Sequence, residues 1–208
     1  SDGYQAPDLT ILNETVSKTG INEIAYQQEP DSILWCVRED GVLAGLTYQR
    51  SENVVAWHRQ IFGGVFGSGS AVCESVASIS GVLTEDELWV IVKRTIGGAT
   101  KRYVECFSDF DFDETTATSF KFLDSHLSYS GSSTTTLSGL AHLEGQTVSI
   151  LGDGATHADK TVSSGAISLD RAVTNACVGL SYDSVLQTMR LEGGAGQYEG
   201  TSQGKIKR

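Results

Sequence analysis

The sequence predicts an all-β protein: about two four-stranded β-propeller blades preceded by one short N-terminal helix, and then a small β-sandwich or barrel. Three observations predict it. First, the stretch from Ser32 to Arg50 and the stretch from Asp86 to Phe107 repeat one another: each opens on an apolar strand holding Leu-Trp (Leu34-Trp35, Leu88-Trp89), turns at Glu39-Asp40-Gly41 or Gly97-Gly98, and returns with an aromatic near its end (Tyr48, Tyr103). A four-stranded module recurring at roughly 40 to 55 residues is how a propeller is written, because one blade cannot bury both faces alone. Second, 23 glycines against 2 prolines suit many tight β-turns. Third, from Phe120 onward charge is sparse and apolar residues alternate with Ser and Thr at a period of two.

Each element follows from a local signal. Asp8 reads as an N-cap, Leu9, Leu12 and Val16 have helical spacing, and Gly20 stops the run, so one amphipathic helix is expected over 9–18. Four strands follow at 21–26, 33–38, 43–48 and 54–61. Residues 63–70 (GGVFGSGS) read as a flexible loop. A second set is expected at 72–80, 87–95 and 100–107, with its fourth strand at 108–112 or replaced there by a linker. Strands are then expected at 120–129, 134–140, 147–151, 156–162, 166–169, 176–182 and 186–191, parted by turns at Glu144-Gly145, Gly152-Asp153-Gly154 and Ser163-Ser164-Gly165. The domain reading is a helical segment over 1–20, a blade region over 21–118, a small sandwich or barrel over 119–192, and a linker over 193–208. Ser1 opens the chain and Met189 is the only methionine, so an internal fragment of a longer protein is expected.

Net charge is −11 and uneven: residues 1–114 carry 18 acids and 8 bases, residues 115–208 carry 8 acids and 7 bases. No basic stripe for gripping phosphates is present. No apolar run approaches the roughly 18 residues of a membrane span. Cys36, Cys73, Cys106 and Cys177 lack the close pairing of zinc ligands. Cys36 and Cys106 lie in apolar strands and are expected in the core, reduced.

The run Ala25-Tyr26-Gln27-Gln28-Glu29-Pro30, the stretch from Leu34 to Gly41 (LWCVREDG), Leu46-Thr47-Tyr48 and Val55-Ala56-Trp57-His58-Arg59 carry a family resemblance. So do the string from Gly139 to Val148 (GLAHLEGQTV), the run from Leu186 to Leu191 (LQTMRL) and the run from Gly200 to Lys205 (GTSQGK). Together they resemble the tail nozzle (tail tubular protein B-like) family of short-tailed bacteriophages and prophages. The resemblance implies a non-enzymatic virion protein, built of propeller blades with additional β domains. It also implies a ring of about six copies around a DNA channel at the distal tail, closed by heterologous contacts. Its partners would be copies of itself and neighbouring tail proteins, with DNA passing without specific binding. Its locations would be the virion tail and, during assembly, the host cytoplasm. Full family members are several times longer and need more blades than two, so the fragment alone can stay monomeric. Acidity fits such a conduit, since like charge keeps DNA off its wall.

No catalytic, cofactor or metal residue is assigned. Trp57-His58-Arg59 offers His58 as a general base, but a strand puts His58 on the face opposite Trp57 and Arg59, and no nucleophile is placed beside it. Asp109, Asp111 and Asp113 could ligate calcium through their oxygens. They lack the turning glycine, and Phe110 and Phe112 between them make a two-faced strand. His126, His142 and His157 have no metal-ligand spacing. Trp35 and Trp89 are expected as equivalent core residues. The alternative function is a carbohydrate- or receptor-binding β module of a phage tail over 120–191, where Phe120, Phe122, Tyr129 and Tyr182 are the available aromatic platforms. A hydrolase is the third reading.

Overall fold

The structure is a computed structural model, described for residues 6–11, 13–81, 85–108, 117–118 and 120–187. It is almost entirely antiparallel β. The first sheet is a meander of β1 (Ile21–Gln27), β2 (Ile33–Arg38), β3 (Leu43–Gln49) and β4 (Val54–Gln60), in that order. A small hairpin, β5 (Val65–Phe66) and β6 (Gly69–Ser70), leads to a second sheet of β7 (Val72–Ser80), β8 (Asp86–Ile96) and β9 (Ala99–Cys106). The third sheet holds β10 (Asp124–Ser138), β11 (Thr147–Gly152), β12 (Ala155–Thr161) and β13 (Ala166–Leu180) in the order β10-β13-β11-β12.

The first two sheets face one another across a shared core of Trp35, Val37 and Leu43 against Val76, Leu88, Val90 and Val92. Polar contacts fix their alignment. The Val76 amide donates to the Glu23 carboxylate (3.2 Å), and Asp86 accepts from the amides of Gln28 (2.8 Å) and Glu29 (3.2 Å). Gln27 bridges the layers, accepting from the Trp35 indole (2.9 Å) and donating to the Asp86 carbonyl (2.8 Å). The Trp35 indole and the Val76 amide are thereby paired, as buried donors require.

Trp35, Gly45 and His58 stand in one row across β2, β3 and β4. His58 meets Trp35 edge to face, with ring centroids 5.2 Å apart. A Cβ on Gly45 would collide with the His58 ring and lie 3.0 Å from Trp35. Glycine is required at this position for space. Gly45→Ala is expected to lower stability by roughly 1–3 kcal/mol, as overpacking does; a urea midpoint equal to that of the parent would refute the row.

Several sequence expectations are corrected. The helix over 9–18 is absent, and the described part of that segment holds only a 3₁₀ turn at Glu14–Val16. Instead of capping a helix, the Asp8 carboxylate closes a local turn by accepting from the Thr10 amide (2.8 Å) and hydroxyl (2.7 Å). Thr10, Ile11, Thr15 and Val16 are β-branched and disfavour helix further. Residues 63–70, expected as a flexible loop, contain the β5–β6 hairpin, and Lys93 lies over the Phe66 ring at 4.4 Å. Trp89 is not a core equivalent of Trp35: Leu88 takes the inward position on β8, while Trp89 is only partly covered and donates to Glu87 (2.9 Å). The two Leu-Trp pairs are out of phase by one residue, which reverses every side chain. Cys106, opposite Trp89 in the ladder, is consequently exposed, whereas Cys36, Cys73 and Cys177 are buried.

In the third sheet the expected strands at 120–129 and 134–140 are one strand, β10, and those at 166–169 and 176–182 are also one, β13. The register slips where Ser130 to Thr134 on β10 faces only Asn175 to Val173 on β13. Such bulges bend a strand without ending it, so turn-like composition at Ser130-Gly131-Ser132 does not make a turn. Residues 181–187 form no strand; the rest of the expected strand at 186–191 lies outside the described residues, as does the expected strand at 108–112 beyond Ser108. The turns at 97–98, 153–154 and 164–165 do form, each with positive φ at both central residues, the geometry of tight hairpins. A separate core of Leu140, Leu143, Val148, Val173 and Val178 fills this half.

Candidate functional site

A cluster of polar side chains around the fully buried Arg94 lies where the second sheet meets the third. On β8 the inward residues are Leu88, Val90, Val92, Arg94 and Ile96, so strand alternation places a guanidinium on the core face. Arg94 is 0% exposed. It forms a two-pronged ion pair with Glu105 on β9, one prong through Nη1 to Oε1 and the other from Nη2 to Oε2 at 3.1 Å. Its Nε donates to the Gly63 carbonyl (2.8 Å). The amide of Gly63 donates to Asp124 on β10 (2.6 Å). The Tyr103 hydroxyl donates to the His142 carbonyl (3.0 Å), and His142 Nε2 lies 3.0 Å from the Ser125 carbonyl. A buried charge is tolerable only when its hydrogen-bonding capacity is met in this way.

Burial pushes the Asp124 carboxyl above the ordinary carboxylate range, against the opposing influence of the Gly63 amide and Arg94. The sign follows. With the folded-state pKa raised, the native protein holds this proton more readily than the unfolded chain. The group therefore disfavours the fold once ionised, and that cost is relieved as pH falls through the raised pKa. Asp124→Asn keeps an oxygen acceptor for Gly63 while removing the charge. Unfolding in urea at pH 7 is expected to leave the variant at least as stable as the parent, with the difference shrinking toward pH 4. A loss at pH 7 that fades toward pH 4 would show instead that the carboxylate charge is needed, and an equal loss at both would place the effect in packing or hydrogen bonding.

A cleft of about 900 Å³ opens nearby, lined by Trp57, His58, Phe62, Gly64, Tyr182 and Asp183, among others. As the strand geometry predicts, Trp57 and Arg59 share one face of β4 and His58 takes the other. The Trp57 indole donates to the Leu9 carbonyl (2.9 Å). Burial holds the His58 imidazole below its usual pKa and thus neutral at pH 7. Its ring meets that of Trp35 edge to face, and Ser70, Ser181 and Asp183 line the same cleft.

The other histidines are separated. His126 Nδ1 meets the Leu123 carbonyl (3.0 Å), and His157 Nε2 meets Arg171 (3.0 Å). Among the described residues no group of three His, Cys, Asp or Glu side chains could hold a metal. Asp109, Asp111 and Asp113 lie outside the described residues. Tyr129 packs on the third sheet's core and donates to the Ser132 carbonyl (2.6 Å), so it is no exposed platform. Phe122 and Tyr182 are exposed. Among the described residues, no helix is long and apolar enough to cross a membrane.

Sequence reasoning missed the Arg94–Glu105–Asp124 junction. Its signal was present: Arg94 interrupts the apolar phase of an otherwise alternating strand. The string from Gly139 to Val148 also gains a role. Leu140 and Leu143 plug the core, His142 reaches Tyr103 and Ser125, and Glu144 accepts from the amides of Ser164 (2.9 Å) and Gly165 (2.7 Å). No protein-family model matches the chain, and no curated protein matches it significantly.

Proposed function

We propose that this chain is a structural virion protein: part of the wall of the DNA channel in the distal tail tube, or nozzle, of a short-tailed bacteriophage or prophage. The observation that carries the reading is where the family-like strings fall. LWCVREDG supplies the inward Trp35 and Val37 of the first sheet, and GLAHLEGQTV supplies the plug and the link between the two halves. Arg94 is engaged with Glu105 and the Gly63 carbonyl, Asp124 with the Gly63 amide, and Arg38 with Thr19 and Asp40. That is the economy of a scaffold. Stacked sheets of the first half fit propeller blades, and the bulged third sheet fits a small sandwich or barrel. The excess of acids in residues 1–114 suits a surface that DNA passes without adhering.

Electron microscopy and light scattering on concentrated protein, with duplex DNA titrated at low salt, test this. Rings of about six copies with a central hole, and DNA that is not retained, are the expected result. Tight DNA retention, or selective glycan binding lost on Tyr182→Ala, would replace the reading with a nucleic-acid or carbohydrate-binding one.

A further inference from the structure

The two stacked sheets leave two outward faces on opposite sides of the pair, and both are apolar. On the second sheet the ladder sets Ala77, Trp89 and Cys106 in one outward row and Ser75, Ile91 and Val104 in the next. Val104 is 67% exposed and Ile79, on the same face, 53%, with Glu87 opposite Ile79 at the far border and bonded to the Trp89 indole. The next row holds Lys93 and Arg102, which share a single carboxylate, Glu74, at 2.7 and 2.5 Å. One border of this apolar face is therefore net basic.

On the first sheet the outward face carries Cys36, Ala44, Leu34 and Trp57, partly covered by Val16 from the N-terminal segment. The cover stops short of β1 and of the turn end: Ile24 is 61% exposed, Tyr26 55% and Val55 46%. The turns at that end carry exposed Glu29, Asp31 and Glu52 beside a lone Arg50. This border is net acidic.

We propose that the outward face of the second sheet of one copy docks on the outward face of the first sheet of the next, so that copies stack head to tail. Three features on the molecule select a second copy as the occupant. The contact is sheet-on-sheet packing like that between the two sheets, at the usual spacing of about 10 Å, but turned end for end so that the acidic turns meet the Lys93–Arg102 row instead of Asp86. Apolar faces of this kind are rare on monomers unless something covers them. The basic border of one face complements the acidic border of the other, which fixes orientation. The contact is heterologous, so it propagates. The tail-wall reading contributes only the expectation that copies assemble; the two surfaces come from the sheets themselves.

Val104→Glu spoils one face and Tyr26→Glu the other, both at positions too exposed to disturb the core; unchanged far-ultraviolet dichroism and melting verify this. Sedimentation up to about 1 mM protein, the limit at which weak association still registers, is expected to show the parent growing beyond dimer and each variant staying monomeric. An equimolar mixture of the two variants should form a one-to-one dimer and stop, because each retains one good face. The parent's growth should weaken as salt is raised. A parent that stays monomeric overturns the proposal, as does a Tyr26→Glu protein that still dimerises, since that would mean like faces pair with like. Open stacks that never close would leave the docking intact and remove the ring; rings that survive both substitutions would do the reverse.

Discussion

Trp35→Ala is expected to cost about 3–5 kcal/mol of folding free energy, whereas Trp89→Ala costs about 1 kcal/mol or less. Trp35 is 4% exposed, lies against His58 and Phe107, and gives its indole hydrogen to Gln27. Truncating it opens a cavity at the centre of the stacked sheets and strips Gln27 of a partner. Trp89 sits on the outward face and loses only partial cover and a bond to Glu87. Urea unfolding of both variants reads the contrast directly. Equal losses would mean that the two Leu-Trp pairs are in phase, and the assigned register of β8 would be wrong.

Arg94→Ala is expected to cost about 3–5 kcal/mol, the usual penalty for removing one partner of a buried ion pair. The substitution leaves Glu105 without its counter-charge and the Gly63 carbonyl without its donor. The double variant Arg94→Met, Glu105→Leu should recover part of that loss, because apolar replacement of both partners avoids an orphaned charge. Chemical denaturation of the two proteins supplies the check. A single variant within about 1 kcal/mol of the parent would show that water reaches the pair. A double variant worse than the single would point to packing as the larger contribution.

What the sequence disclosed and what it concealed divide along physical lines. Strands bounded by strong turns were legible: 33–38 and 72–80 coincide with β2 and β7, and Gly97-Gly98 and Asp153-Gly154 turn where their composition says. Phase was harder to read. Leu88-Trp89 resembles Leu34-Trp35 in letters, but only the neighbouring pattern (Val90, Val92, Ile96) fixes which of the two faces inward. Continuity also escaped, because a bulge and a turn use the same small polar residues, and at Ser130 to Thr134 only pairing with β13 distinguishes them. The helix over 9–18 failed although Asp8 accepts from the Thr10 amide as a cap would, because β-branched Thr10, Ile11, Thr15 and Val16 disfavour its continuation. The junction at Arg94 depends on residues distant in sequence, Gly63, Glu105 and Asp124, which no local spacing connects.

The two backbone bonds of Gly63 have a mechanical consequence. Its carbonyl is held by Arg94 from the second sheet, and its amide hydrogen is held by Asp124 of the third. A short way off, Tyr103 and His142 tie the same two sheets together. Tension pulling the halves apart is thus borne along two routes side by side, the Arg94–Gly63–Asp124 chain and the Tyr103–His142 bond, and loss of either throws the whole load onto the other. The two halves should accordingly behave as one stiff body under load, giving way in a single event.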